Sequence, residues 1–106
     1  SKIDYLSIII DNNGKYIIRD KEQDITESFF RDLKELNRNK DTNSDLDDIL
    51  ISALITTSPN EIVIHCAENC KNPELINTIE KVFTDRVRFC NNCSTCESIK
   101  NHLNRI

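Results

Sequence analysis

Two apolar, strand-like runs enclose an amphipathic helical segment in the second half of this chain. The runs cover residues 62–66 and 87–90, and Asn72 followed by Pro73 lies between them. Asparagine before proline is typical of a helix N-cap with proline at the first helical position. A strand, a helix and a second strand form a βαβ unit, which crosses over right-handed and makes its strands parallel. The sequence therefore predicts two adjacent parallel strands at 62–66 and 87–90.

The start of the chain has the pattern of a hairpin. Residues 3–10 and 15–19 are rich in isoleucine and tyrosine, and the turn between them is Asp11-Asn12-Asn13-Gly14. An Asn-Gly pair supplies the positive φ angles of a type I′ turn, so these two runs are predicted to be antiparallel strands. Their unpaired edge is a candidate surface for a protein partner or for a homodimer, because exposed strand edges invite pairing.

Helical patterns account for most of the remaining chain. Asp24 followed by Glu27 has the form of a capping box at the start of a first helix. A second helix is expected to begin near Ser44 and to end before Pro59, and a last helix is expected from about Ser94. The predicted order is ββααβαβα. The whole chain, 1–106, is therefore expected to form a single α/β domain with a mixed sheet of about four strands and helices packed on it.

The apolar positions with strand or helix periodicity define an expected core. Its members are Leu6, Ile8, Ile10, Ile17, Phe29, Phe30, Leu33, Leu50, Leu54, Ile62, Ile64, Ile76, Ile79, Phe83, Val87, Phe89, Ile99 and Leu103.

Composition argues against several classes of function. The formal net charge is −4 and basic residues do not cluster, so no nucleic acid partner is expected. The only glycine is Gly14, and phosphate-binding loops need several glycines, so no nucleotide cofactor is expected. No apolar stretch approaches the length of a membrane span. A cytoplasmic protein without a leader peptide or a membrane contact is the resulting expectation.

The five cysteines are confined to the second half of the chain. They are Cys66, Cys70, Cys90, Cys93 and Cys96. Two follow the first strand-like run and three follow the second, and parallel strands present their carboxyl ends at one edge of the sheet. The sequence therefore predicts a thiol cluster, with Cys66 or Cys70 within bonding or shared-ligand distance of segment 90–96. Such a cluster can hold a metal ion, an iron–sulfur cluster or a disulfide.

The spacing leaves the occupant of this cluster open. Zinc needs four ligands in a tetrahedron, usually from two short-spaced pairs, and the pairs Cys66/Cys70 and Cys93/Cys96 supply them with Cys90 as the spare. An iron–sulfur cluster can instead use Cys90, Cys93 and Cys96 together with Cys66 or Cys70. His65 lies beside these cysteines, but its place in an apolar strand is typical of a half-buried structural residue.

Two other interpretations use the same residues without a metal. Cys93 and Cys96 straddle the start of the last helix, where the helix dipole stabilises a thiolate, and this placement is similar to that of thioredoxin-like redox motifs. The similarity is one of position only, because that fold needs more sheet after the helix. Alternatively, Cys66 and Cys90 are ordinary buried cysteines that fill the core as small apolar groups.

A short pattern resembles zinc-dependent cytidine and nucleobase deaminases. Cys66-Ala67-Glu68 is similar to their first element, and Cys90-x-x-Cys93 or Cys93-x-x-Cys96 is similar to their second without its proline. The resemblance implies that the thiols bind zinc and that Glu68 moves protons to and from a zinc-bound water. It covers about seven residues, and the helix that should begin at the first element is predicted several residues later.

The sequence favours a non-enzymatic binding or regulatory module, because it contains neither a cofactor loop nor a polar catalytic constellation. The alternatives are a thiol redox protein and a deaminase-like zinc enzyme that uses Glu68. The module is expected to bind a protein partner or to form a homodimer. It is expected to bind neither a nucleic acid nor a membrane.

Overall fold

The computed structural model of the protein describes residues 3–36 and 46–103. These residues form five strands and four helices, together with short 3₁₀ turns at Ala67–Asn69 and Thr84–Arg86. The strands are β1 (Tyr5–Ile10), β2 (Tyr16–Asp20), β3 (Gln23–Asp24), β4 (Glu61–His65) and β5 (Val87–Cys90). The helices are α1 (Thr26–Leu36), α2 (Leu46–Thr57), α3 (Pro73–Phe83) and α4 (Ser94–Leu103).

The strands form one mixed sheet in the order β3-β2-β1-β4-β5. β1 is antiparallel to β2 and parallel to β4, and β4 is parallel to β5. The predicted α/β class and the adjacency of the two parallel strands are confirmed. The structure adds the two-residue strand β3, which carries no periodic signal because it is so short. β4 also ends one residue earlier than predicted, because Cys66 adopts a left-handed conformation with φ 59°.

Helices cover the two faces of the sheet unequally. Leu6, Ile8 and Ile10 of β1 belong to one apolar cluster with side chains from α1, α2 and α3. Both parallel connections, from β1 to β4 and from β4 to β5, thus place their helices on this face, as successive right-handed crossovers in one direction require. α4 lies on the other face, where the side chain of Asn12 donates to the carbonyl of Ile99 at 2.8 Å.

Most of the predicted core is buried, and the exceptions follow from the sheet. Phe89 was expected inside but is 50% exposed, because β5 is an edge strand that the helices cover only in part. Ile17 is partly buried, and its neighbour Ile18, opposite Ile8, takes the core position. Ile76, Val87 and Ile99 are also only partly buried. Leu33 and Leu103 lie outside the described side chains.

The hairpin turn differs from the predicted type I′ geometry. Within the turn only Gly14 has a positive φ, at 80°, whereas a type I′ turn requires two such residues. The amide of Gly14 donates to the carbonyl of Asp11 at 2.9 Å. The Asp11 carboxylate also accepts the amides of Asn13 and Lys15. Asp11 thus stabilises a turn that differs from type I′, and Gly14 is the one residue of this turn with a left-handed backbone conformation.

Helix starts agree with the predicted caps in one case and differ in another. Asn72 caps α3 by accepting the amide of Glu74, and Pro73 is the first helical residue. At α1, Asp24 accepts the amide and hydroxyl of Thr26 instead of forming a box with Glu27. The start predicted near Ser44 lies outside the described residues. None of the helices in the described ranges is both long and apolar enough to cross a membrane.

The two edges of the sheet are protected differently. β3 pairs with the end of β2, and the amide of Ile18 donates to the hydroxyl of Thr26. The hairpin edge that the sequence offered as a docking surface is therefore largely paired by the chain's own residues. Within residues 3–36 and 46–103, the sheet ends at β3 on one side and at β5 on the other. Of these two edge strands, β5 is the longer, with four residues against two.

Candidate metal centre

Four side chains with metal-binding atoms converge where β4 and β5 end. The ligand atoms of His65, Cys90, Cys93 and Cys96 all lie within 4.8 Å of one another. Cys96 is buried, and the other three are half-buried. No other group of this kind occurs in the part of the chain that the structure describes.

Two parallel strands supply the first half of the centre. His65 is the last residue of β4, and it lies opposite Cys90, the last residue of β5. Their position in the ladder places both side chains on the face that carries α4. This face is opposite to that of Ile64, which belongs to the apolar cluster.

The beginning of α4 supplies the second half. The amide of Glu97 donates to the carbonyl of Cys93 at 2.9 Å, so Cys93 is the N-cap residue directly before Ser94, the first residue of α4. Cys96 follows three residues later, a spacing that brings two side chains to the same side of a helix. Their sulfur atoms are 3.7 Å apart, and Cys96 Sγ lies 3.9 Å from Cys90 Sγ.

The separations of these atoms fit a single tetrahedral ion. His65 Nδ1 lies 3.4 Å from Cys93 Sγ and 3.5 Å from Cys96 Sγ. With metal–sulfur bonds of ~2.3 Å and metal–nitrogen bonds of ~2.0 Å, a regular tetrahedron has sulfur–sulfur edges of ~3.8 Å and sulfur–nitrogen edges of ~3.5 Å. These four separations lie close to those values, and the remaining two lie within 4.8 Å, so the four residues could hold a metal ion.

The thiols of the centre differ in acidity. Burial raises the pKa of the Cys93 thiol, but hydrogen bonds from the amides of Cys96 and Thr95 and from neighbouring thiols outweigh it, so that the net pKa is lowered. The pKa of Cys96 is raised, first by burial and then by the thiols around it. The pKa of His65 is lowered by burial and then by the positive charge of Arg19. A neutral imidazole and a thiolate are the forms that bind metals.

Cys66 lies beside the centre without contributing to the group of four. Its amide donates to the carbonyl of Cys90 at 3.0 Å, so the two chain segments meet as the sequence predicted. The side chain is fully buried next to Cys96, and burial is the main reason that its pKa is raised. Cys66 is the first residue after β4 and has a left-handed backbone conformation. His65, the last residue of β4, is the neighbour whose side chain belongs to the group of four.

Cys70 lies in a different polar cluster on the face that carries α2 and α3. Its thiol donates to the carbonyl of Asn72 at 3.2 Å. The side chain of Asn72 donates to Asp47, and Asp47 also accepts the hydroxyl of Tyr16. The group of four thus contains three of the five predicted cysteines, and both Cys66 and Cys70 lie outside it.

His65 is the member of this group that sequence reasoning interpreted as structural. The signal that could have identified His65 is the pairing of β4 with β5. Parallel neighbouring strands of similar length place their last residues side by side, which here are His65 and Cys90. Glu68, which the deaminase resemblance singled out, is exposed in the 3₁₀ turn Ala67–Asn69. Its carboxylate does not belong to the group of four.

Comparison with known proteins places the chain in a family. No curated protein and no solved structure matches it. Residues 1–88 match the YtxC-like family. The match includes His65 and ends before Cys90, so the three cysteines of the candidate metal centre lie beyond the matched residues. Because the match covers well over half of the 106 residues, the chain belongs to the YtxC-like family.

Proposed function

We propose that this protein is a small zinc-binding α/β module whose metal has a structural role. His65, Cys90, Cys93 and Cys96 each supply one ligand to a single Zn²⁺ ion. The observation that carries this proposal is the set of separations of 3.4–3.9 Å among these atoms, close to the edges of a zinc tetrahedron. Three cysteines and one histidine are also an established ligand set of structural zinc sites.

The same geometry disfavours the other occupants. An iron–sulfur cluster binds its thiolates to different iron atoms, which spaces some of them farther apart than one shared ion does. A disulfide would use two of the thiols and would leave the approach of His65 to both Cys93 and Cys96 unexplained. Soft thiolates with an imidazole, in a tetrahedral arrangement, are typical of zinc.

The ion would connect the paired strands β4 and β5 to the start of α4. One ligand comes from β4, one from the edge strand β5 and two from the start of α4. β5 has four residues and α4 has ten, which is too short for a helix to be stable alone in water. A structural zinc site contributes folding free energy directly, so we expect the metal to hold this end of the domain together.

The ligand set also argues for a binding module over an enzyme. Four protein ligands fill a tetrahedral ion, whereas catalytic zinc sites keep one position for water or substrate. A deaminase needs that water and a carboxylate beside it. The exposed position of Glu68, outside the group of four, does not support this role.

Metal analysis of the protein purified under reducing conditions tests the proposal. We expect one equivalent of zinc, and substitution by Co²⁺ should give the visible spectrum of a tetrahedral site with thiolate ligands. Thiol titration should find Cys90, Cys93 and Cys96 protected in the zinc form and reactive after chelation. Freely reactive Cys90, Cys93 and Cys96 without bound metal, or a brown iron-containing protein, would overturn the proposal.

A thiol redox function is the second candidate, and the geometry of Cys93 favours it. This cysteine directly precedes α4, its pKa is lowered overall and its sulfur lies 3.7 Å from that of Cys96. Under this alternative, the protein would be isolated without zinc and a mild disulfide oxidant would join Cys93 to Cys96. Peptide mapping of the oxidised protein distinguishes the two functions, because a zinc-loaded site should resist that oxidant.

We also propose that the module binds a protein partner, a second copy of itself included. The outer edge of β5 supports this, since no strand covers it within the described residues and Phe89 beside it is half exposed. Light scattering of the native protein and of Phe89→Ser tests self-association. A monomer in both cases would leave a different protein as the partner.

A further inference from the structure

A groove of about 370 Å³ opens beside the metal centre on the face that carries α4. β1 forms its floor, the turn after β2 forms one wall and the start of α4 forms the other. The residues around it are Tyr5, Ser7, Ile9, Arg19, Lys21, Glu22, His65 and Thr95. Since His65 belongs to both, the groove and the metal centre share one side chain.

Ser7 is a buried polar residue on the floor of this groove. It is 6% exposed, and its neighbours Leu6 and Ile8 in β1 are buried apolar residues. No hydrogen-bond partner for its hydroxyl occurs among the described residues. Because Ser7 lines the groove, its hydroxyl is placed to donate to a ligand that enters there.

Arg19 places a positive charge over the same floor. It is opposite Ser7 in the ladder of β1 and β2, and its guanidinium donates to the hydroxyl of Thr95 at 3.2 Å. In the described ranges no carboxylate pairs with it within salt-bridge distance. A guanidinium carries five N–H donors in a planar fork. Most of them remain available for an acceptor in the groove.

His65 has a free donor of its own when it binds a metal. Its Nδ1 faces the thiols, so the metal-bound ring carries its proton on Nε2. A metal-binding histidine normally donates that second N–H to a carboxylate, a carbonyl or a water. Within the described part of the chain, no acceptor for Nε2 is present.

We propose that this groove binds a small organic carboxylate. Arg19 holds the carboxylate through its N–H fork, and the Ser7 hydroxyl and the Nε2–H of His65 donate to it as well. Only the contribution of His65 rests on the zinc function proposed above. A bound carboxylate completes the hydrogen bonding of the metal ligand, so the ligand and the metal strengthen each other's binding.

Charge and shape favour a carboxylate over phosphate. A zinc ion with three thiolates carries a net charge of −1. Glu22 and Asp24, the second of which lies opposite Arg19 in the ladder of β2 and β3, add negative charge against Arg19 and Lys21. This balance suits a singly charged anion better than a doubly charged one. A planar carboxylate also matches the guanidinium fork, and Tyr5 with Ile9 offers an apolar surface to the carbon portion of the ligand.

Amide NMR titration of the zinc-loaded protein with acetate tests this proposal. Inorganic phosphate is the second probe, and chloride keeps the ionic strength constant. We expect saturable shifts at Ser7, Ile9 and Arg19 with acetate and weaker ones with phosphate. Arg19→Gln should weaken acetate binding at least tenfold, the effect of losing a charged hydrogen bond. Arg31→Gln, an exposed arginine on α1, is the matched control and should change nothing.

The outcomes separate this proposal from the zinc function. One equivalent of zinc without saturable acetate binding overturns the carboxylate groove and leaves the zinc function intact. Metal-free protein that binds acetate through Arg19 and Ser7 overturns the zinc function alone. Stronger binding of phosphate than of acetate overturns the choice of ligand. If Arg19→Gln does not fold, Arg19→Lys replaces it as the test variant, because lysine keeps the positive charge but lacks the planar N–H fork. Acetate binding that is unchanged in Arg19→Lys contradicts the proposed geometry.

Discussion

His65 and Cys90 lie directly opposite each other at the ends of the parallel strands β4 and β5. This pairing decides which residues form the centre, because it turns both side chains to the face on which α4 begins. Cys93 and Cys96 then approach from the helix, and the four ligand atoms come within 4.8 Å of one another. Cys66, one residue past the end of β4, contributes no ligand atom to this group although it is buried beside it.

The first prediction separates the cysteines of the centre from the one outside it. Cys96→Ser should bind zinc at least about a hundredfold more weakly, since even a lost second-shell partner costs about 10–100-fold. Cys70→Ser should keep one equivalent of zinc, because Cys70 bonds to Asn72 on the opposite face. Competition with a chromophoric chelator measures both affinities. Equal loss of zinc in the two variants would contradict the assignment of ligands.

The second prediction concerns α4, the helix that the proposed zinc ion would hold. Removal of zinc by a chelator should accelerate amide hydrogen exchange in α4 at least about tenfold, because a ten-residue helix is marginal by itself. The amides of β1, in the centre of the sheet, should stay protected. Exchange followed by mass spectrometry of peptides from both elements checks this. Uniform acceleration over the whole chain would instead show that the metal controls global folding.

The third prediction compares two neighbouring residues of α2. Leu54 is fully buried and Ile55 is 56% exposed. Leu54→Ala should lower the free energy of unfolding by about 2–5 kcal/mol, because it removes buried methyl groups and leaves a cavity. Ile55→Ala should cost well under about 1 kcal/mol, since its side chain is largely in water. Urea unfolding of both variants measures the difference, and similar losses would contradict the packing of α2.

The fourth prediction is a pH dependence at Tyr16. Burial raises the pKa of its hydroxyl, and the bond to Asp47 and the charge of that carboxylate raise it further. Tyrosine in the unfolded chain ionises near pH 10, so the contribution of Tyr16 is fully present below about pH 10. It is lost as the pH rises through the higher pKa of the folded state.

Comparison of the wild type with Tyr16→Phe tests this dependence. At pH 8 the variant should be less stable by about 1 kcal/mol, the usual net value of a hydrogen bond. The difference should shrink when urea unfolding is repeated above pH 10. Tyr5→Phe controls for the general effect of alkali. A difference that grows with pH would show that Tyr16 does not donate to Asp47.

The fifth prediction concerns Gly14, whose φ of 80° disfavours any residue with a Cβ. A Cβ built there would also lie 3.0 Å from the Cγ and Cε atoms of Lys71. Gly14→Ala should therefore cost about 1 kcal/mol or more of stability, mostly through the backbone. Thermal unfolding of Gly14→Ala and of Gly14→Ala with Lys71→Ala separates the two causes. Full recovery in the double variant would assign the cost to the side-chain contact.

Local signals in the sequence predicted the elements well where their physical cause is local. The cap at Asn72-Pro73, the strand 87–90 and the start of α4 at Ser94 agree with the structure. Proline and asparagine restrict the backbone at their own positions, and apolar periodicity reflects the face that each element buries. The right-handed rule for βαβ units then made β4 and β5 parallel neighbours without any further information.

The membership of the metal centre is a tertiary property. The sequence showed that thiols gather at one sheet edge, but not whether His65 or Cys66 faces α4. That choice depends on where β4 ends and on the ladder that sets His65 beside Cys90. The position of α4 on the second face likewise buries Ile9 and Val63, which strand alternation alone assigned to no core. Composition and local pattern determined the elements and the clustering of the cysteines, whereas strand register and helix placement, which depend on contacts between distant residues, decided the site.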